Sequence, residues 1–217
     1  MSPSLSSPRI AIIGAGIIGL SCAWELAKRG AHVTLFDSGF YPGRGASWAA
    51  AGMLAPAYEA AAEPGVNPRL FDLCLKSARQ WIEMSGAIAA VTKRDILHSI
   101  GPSLAVAQTA EDRIQLAGLA KALTARKIAF DVLSPDEAVQ AEPCLRVGNK
   151  GALRLPTDGQ VDNRLLVEAL IRALESQERV AFVTGTAPLA MVQGKIVLDG
   201  FDRVIFAAGW ETASVAV

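Results

Sequence analysis

Three glycines and one carboxylate carry the most specific chemistry the chain can do. Gly14, Gly16 and Gly19 fall in the run Gly14-Ala-Gly16-Ile-Ile-Gly19, and Asp37 lies 23 residues beyond Gly14. A glycine at the first position lets the chain leave a strand in a tight turn. At the second it lacks the Cβ that would hold a pyrophosphate off the backbone, and at the third it lets a helix lie close to a sheet. Free N–H groups at the start of that helix, at the positive end of its dipole, face the phosphates. A carboxylate at the place of Asp37 accepts hydrogen bonds from both ribose hydroxyls and repels a 2′-phosphate. The implied ligand is an adenine dinucleotide without that phosphate.

The elements needed to position these residues are present in order. The apolar run Ile10 to Ile13 precedes Gly14, an amphipathic segment with Ala23, Trp24, Leu26 and Ala27 follows, and after Gly30 a second apolar run extends from Val33 to Phe36. Strand, glycine turn, helix and strand make a βαβ unit. This fingerprint does not separate NAD from FAD.

The whole chain sets wider bounds. Its 217 residues allow one large domain or two small ones, and 51% hydrophobic content is ample for a core. Lys plus Arg equals Asp plus Glu at 21 each, which gives no support to nucleic acid or an anionic membrane as a partner and favours a small molecule. Residues 1–8 are Ser/Pro-rich and read as a frayed tail. The glycine-broken run after Arg9 does not resemble a signal sequence, and no uninterrupted stretch is long enough to span a bilayer. Cys22, Cys74 and Cys144 are odd in number and far apart, which argues against a disulfide framework or a zinc site and for the reducing cytoplasm.

Ser38 to Ser47 is a loop by composition, and Trp48-Ala-Ala-Ala-Gly-Met-Leu-Ala-Pro56 is dense in Ala and Gly. That density suits backbone pressed on a flat or phosphorylated ligand, and equally a small-residue helical turn packed on a sheet. The run from Gly43 to Pro56, following this βαβ unit, closely resembles the FAD-dependent amino-acid oxidase family, in particular its glycine oxidases of thiamine biosynthesis. In that family the segment lies along the pyrophosphate and flavin, so the resemblance implies FAD over NAD. It also implies an FAD site made of Gly14, Gly16, Ile17, Ile18, Gly19, Asp37, Ser38, Ala46, Ser47, Ala51, Gly52 and Met53. A further family position, whose backbone brackets the adenine, falls nearest Pro188. Proline has no N–H to give, so the register shifts to Ala187 or Leu189 or the adenine loses a contact worth about 1 kcal/mol.

Asn67-Pro68 reads as a helix start, with Leu70, Leu73, Cys74, Ala78, Trp81 and Ile82 as its core stripe. Ile96–Ile100, Leu104–Ala107, Ile128–Leu133 and Gly151–Leu155 read as strands. Helices are predicted after the capping sequences Thr109-Ala-Glu-Asp112 and Ser134-Pro-Asp-Glu137, the latter stopped by Pro143. Asp158-Gly-Gln-Val-Asp162 reads as turn and cap before a helix over 163–176, and resembles the family's return from substrate domain to nucleotide domain. Val180–Val183, Leu189–Val192, Lys195–Leu198 and Asp202–Trp210 complete the strands. His32 and His98 read as structural.

The resemblance therefore implies an α/β protein: a Rossmann-type FAD-binding domain over 9–90 and 156–217, with an inserted, incomplete α+β substrate domain over 91–155. It covers Arg9 to Trp210 but only the first part of the family. Relatives continue with further substrate-domain strands, a substrate-carboxylate arginine and an aromatic residue over the substrate, so no catalytic residue is assigned. Three functions follow in order: a flavin oxidase of small amines or amino acids in a shortened chain, an FAD-binding remnant without turnover, and an NAD-dependent dehydrogenase. Strands lacking their later partners leave open edges, and self-association is expected.

Overall fold

The structure is a computed structural model and describes residues 7–39, 42–58, 68–145 and 148–215. It divides into two compact units, one formed by residues 1–51, 87–96 and 162–217 and the other by 52–86 and 97–161. These boundaries differ from those of the sequence reading, which kept 9–90 together. Residues 52–86 fall in the second unit.

The first unit holds a four-stranded parallel sheet. Its strands are β1 (Arg9–Ile13), β2 (His32–Asp37), β9 (Val180–Thr184) and β12 (Arg203–Phe206), in the order β12-β1-β2-β9. Parallel strands need crossovers, and two helices supply them on one face: α1 (Ile17–Lys28) between β1 and β2, and α6 (Asn163–Glu175) leading into β9. Helix α1 turns Leu20, Ala23, Trp24 and Ala27 inward, and α6 buries Leu166, Val167, Ala169, Leu170, Ala173 and Leu174. The two helices pack on each other. On the opposite face Ala11, Ile13 and Phe36 meet Ala187 and Leu198, with Phe201 edge-on to Phe36. The antiparallel hairpin β10 (Ala190–Val192) and β11 (Lys195–Val197) carries the chain across to β12. Because β2 and β12 lie on opposite sides of β1, the connections diverge at the carboxyl end of β1. That divergence opens the crevice in which doubly wound sheets bind ligands.

The expected amino-terminal tail is tied down earlier than its composition implies. The Ser7 hydroxyl accepts from the Arg179 guanidinium at 3.2 Å, and the Pro8 carbonyl accepts from the His32 N–H at 2.9 Å. Residues 1–6 lie outside the described residues, as does the Asn67 cap.

The second unit contains two three-stranded antiparallel sheets. One is β3 (Met53–Leu54), β8 (Gly159–Gln160) and β4 (Ser99–Ile100), with β8 central. The other is β5 (Ser103–Val106), β7 (Ala152–Leu155) and β6 (Asp131–Leu133), with β7 central. Helix α4 (Ala110–Ala125) lays Leu119 and Leu123 against Ala105, Leu153 and Leu155. Ile114 of the same helix is exposed. Both capping boxes form: Thr109 and Asp112 reciprocally close the start of α4, and Ser134 and Glu137 that of α5 (Pro135–Ala141).

Two readings of the sequence are corrected here. The strand over Ile96–Ile100 shrinks to Ser99–Ile100 because Leu97 takes φ 50°, which breaks the extended run. Helix α3 (Pro68–Thr92) buries Phe71, Ser85 and Ile88, whereas Leu70, Leu73 and Ile82 of the predicted stripe are exposed. A 25-residue helix has apolar residues on more than one face, and periodicity alone does not say which face is covered. Among the described residues no helix is long and apolar enough to cross a membrane, and no cluster of metal-ligating side chains forms.

Candidate cofactor site

The glycine turn occupies the crevice at the end of β1. Gly14 adopts φ +102°, and a Cβ there would lie 2.5 Å from the Ala207 carbonyl oxygen and 2.7 Å from Ala208 Cα. The end of β12 is thereby pressed against the turn, as the small residues Ala207-Ala208-Gly209 require. A Cβ on Gly19 would run into the Gly14 carbonyl, so helix and turn share space only glycine leaves open.

Gly16 is different. A Cβ on it would meet only the Ser47 hydroxyl, at 3.3 Å, and its backbone (φ −72°, ψ −178°) is open to any residue. Packing within the chain does not require glycine at this position. Apart from the Ser47 hydroxyl, the space over this backbone is open.

The start of α1 offers donors. Gly16 caps the helix without a side-chain bond, and the first turn holds no acidic residue. The Ile17 N–H donates to Ser47 Oγ at 2.9 Å, while the N–H groups of Ile18 and Gly19 meet no acceptor among the described residues. Ile18 is 65% exposed beside them.

Asp37 closes β2 and reaches back across the turn. Its Oδ2 accepts from the Ala15 N–H at 2.6 Å and its Oδ1 from the Gly39 N–H at 2.8 Å. An ionised carboxylate has about four acceptor positions, so each oxygen keeps capacity for a ribose hydroxyl. Asp37 therefore orders the turn as well as offering itself to a sugar, a role the sequence reading did not anticipate. Ser38 is exposed next to it.

The Ala/Gly segment forms one helical turn, α2 (Ala46–Ala49), and then runs extended toward β3. Ala46 and Ala51 are exposed, and Ser47 is half-buried against the turn. Asn163, at the head of α6, holds α2 by donating from Nδ2 to the carbonyls of Ser47 (2.8 Å) and Trp48 (3.0 Å). Arg44 and Arg164 stack over the Trp48 ring at 4.3 and 5.3 Å from its centroid. Asn163, Arg44 and Arg164 were missed by sequence reasoning. Asn163 directly follows the cap Asp162, which accepts from the N–H groups of Arg164 and Leu165, and this placement was the available signal.

Gly52 and Met53 belong to the second unit, where Met53 pairs with Gln160 and is 54% exposed. Pro188 is exposed in the link before β10, and the Leu189 N–H donates across it to the Ala187 carbonyl at 2.8 Å. Ala187 itself is buried in the core. The Leu189 N–H is thus already engaged within the chain. A cavity of about 350 Å³ in the first unit lies at the opposite end of the strands, beside Arg9, His32 and Arg179, and is no part of this site.

The sequence matches the family of FAD dependent oxidoreductases designated DAO over residues 9–216. The chain belongs to this family. The family's cofactor is FAD, which excludes the NAD-dependent reading, and the open backbone at Gly16, the unpaired donors of α1 and the acceptor capacity of Asp37 suit its pyrophosphate and ribose. Among solved structures, glycine oxidase from Geobacillus kaustophilus superposes with a TM-score of 0.85 at 29% identity, covering 97% of this chain and 58% of that one. Iminodiacetate oxidase from Chelativorans sp. superposes with a TM-score of 0.78 at 25% identity, covering 96% of this chain and 57% of that one. L-Proline dehydrogenase from P. horikoshii, at 16% identity and a TM-score of 0.72, shares the fold. The chain thus spans less than three-fifths of the length of the oxidases it matches.

Proposed function

We propose that this chain binds FAD at the glycine turn and serves the oxidation of a small amine or amino acid, in the manner of the glycine and D-amino-acid oxidases. The observation that carries the reading is the pairing at Gly16 of an open backbone with the unpaired N–H groups of Ile18 and Gly19. Bound flavin would supply the redox chemistry, taking a hydride from the substrate's α-carbon and returning the electrons to oxygen. The chain's own part is to bind and orient. The start of α1 would hold the pyrophosphate and Asp37 the ribose, with Ser38, Ala46, Ser47 and Ala51 contributing from the same unit, and the family resemblance adds Gly52 and Met53, which belong to the second unit. Pro188 would stand at the adenine, where it could offer one backbone contact fewer than a residue with an N–H.

A role in thiamine biosynthesis and a cytoplasmic location belong to the same reading, supported by the resemblance to glycine oxidases and by the unpaired cysteines Cys22, Cys74 and Cys144. The nucleotide domain is proposed as 9–90 with 156–217 and the partial substrate domain as 91–155. Self-association is part of the proposal, favoured by exposed apolar residues such as Ile114, Val132 and Trp210. Sedimentation as a monomer would remove that part. A second reading is FAD binding without turnover.

Titration with FAD, followed by anaerobic mixing with glycine, sarcosine or D-alanine, separates the readings. Quenching of flavin fluorescence and then bleaching of its visible band are expected from the oxidase. Binding without bleaching supports the second reading, and no uptake of FAD defeats both.

A further inference from the structure

Helix α2 is a single turn of four residues, closed by the N–H groups of Trp48 and Ala49 on the Gly45 carbonyl and of Ala50 on that of Ala46. A turn this short does not hold itself, because fixing its backbone costs more than its few hydrogen bonds return. The carbonyls of Ser47 and Trp48 fall at its end, where a helix offers them no partner. Asn163 supplies one. Its Nδ2 donates to the Ser47 carbonyl at 2.8 Å and to the Trp48 carbonyl at 3.0 Å, and Arg164 Nε adds a longer bond to Trp48 at 3.4 Å. Two carbonyl acceptors fix the amide with its nitrogen toward α2, and both of its hydrogens are spent there.

The Ser47 side chain leaves the same turn toward the start of α1. Its Oγ accepts from the Ile17 N–H at 2.9 Å and lies 3.3 Å from the place of a Cβ on Gly16. That bond uses a lone pair. The hydroxyl proton donates to none of the described residues, so it stands beside the open backbone of Gly16 as a further donor next to the N–H groups of Ile18 and Gly19. A binding group is only as well placed as the shell that supports it.

We propose that Asn163 is a positioning residue for the cofactor's pyrophosphate. Through its two bonds to α2 it holds the Ser47 hydroxyl over the glycine turn, where that hydroxyl donates to a phosphate oxygen. The identity of the ligand rests on the FAD reading above, whereas the coupling of Asn163 to Ser47 rests on bonds within the first unit.

A double-mutant cycle of Ser47→Ala and Asn163→Ala tests the coupling, with FAD titrated by flavin-fluorescence quenching and ADP, which carries the pyrophosphate without the flavin, by calorimetry. Ser47→Ala should weaken both ligands about tenfold and Asn163→Ala about fivefold, the scale of one hydrogen bond to a charged group lost or misplaced. In the Ser47→Ala background Asn163→Ala should cost less than about twofold, because the hydroxyl it positions is gone. A residue that only braced the fold would cost the same factor in both backgrounds. Alanine is a good helix former, so Asn163→Ala should keep the circular dichroism of the unmodified chain. Should it unfold, Arg164→Lys takes its place in the cycle: Arg164 is exposed, and lysine keeps the charge but loses the Nε bond to α2. Unchanged affinity in Asn163→Ala, equal losses in the two backgrounds, or tighter binding by Ser47→Ala would overturn the inference. FAD and ADP bound without that coupling sink this inference alone. Coupled ADP binding without FAD uptake sinks the oxidase reading alone, and binding of neither ligand sinks both.

Discussion

Replacing Gly16 and Gly14 by alanine, one at a time, separates what the glycine turn does for the fold from what it does for a ligand. At Gly14 the backbone stands at φ +102°, and the new methyl would lie 2.5 to 2.7 Å from backbone atoms of Ala207 and Ala208. A non-glycine residue at positive φ costs about 1–2 kcal/mol, and overlap with atoms that cannot rotate away adds about 1–3 kcal/mol. Gly14→Ala should therefore lose roughly 2–5 kcal/mol, a large part of the ~5–15 kcal/mol that holds a typical domain. At Gly16 the backbone is already extended, and the methyl meets only the Ser47 hydroxyl at 3.3 Å, a side chain that can rotate. The loss of unfolded-state freedom offsets the weaker cap, so stability should move by less than about 1 kcal/mol. The same methyl stands where a pyrophosphate would approach the unpaired N–H groups of α1. Losing one hydrogen bond to a charged group, about 1.5–3 kcal/mol, weakens FAD roughly 10- to 100-fold. Urea denaturation followed by tryptophan fluorescence reads the first quantity, and flavin-fluorescence quenching the second. The reasoning is refuted if Gly16→Ala unfolds the chain, or if it folds and binds FAD as tightly as the unmodified protein.

Further outcomes follow from the same geometry. Asp37→Ala leaves the N–H groups of Ala15 and Gly39 without their acceptor, so it should cost about 1–3 kcal/mol in denaturant even without ligand, besides weakening FAD; an effect confined to FAD would contradict the structural role. The Asp112 carboxyl is held below its usual value by the backbone N–H of Gln108 and then by Thr109, and that of Glu137 by the Ser134 hydroxyl and then its N–H. Both folded-state values are depressed, so their support is present above the ordinary carboxylate range and is lost as pH falls through the folded values. Ser134→Ala with Thr109→Ala should flatten the acid side of the stability profile, measured as the urea midpoint against pH; an unchanged slope would count against the boxes. Burial raises the Cys22 thiol, whereas Cys144 is exposed, so mass spectrometry of partly alkylated protein should find Cys144 modified first.

The nucleotide-binding half was legible because its signals are local. The order strand, glycine turn, helix, strand and the two capping boxes are set within short stretches of chain, and each formed as read. Which apolar face of α3 is covered was not legible, because Phe71 and Ile88 differ from Leu73 and Ile82 only in what lies opposite them. The strand at Ile96 failed for a related reason: a single residue, Leu97, at positive φ outweighs the apolar pattern around it. Asp37 as a brace for Ala15, Ser47 as a cap for Ile17 and Asn163 as the anchor of α2 span 22, 30 and about 116 residues of sequence. Sequence by itself determined the family and its cofactor. Tertiary structure alone decided which side chains brace the glycine turn and which apolar residues are covered, because both depend on contacts between segments that no local pattern encodes.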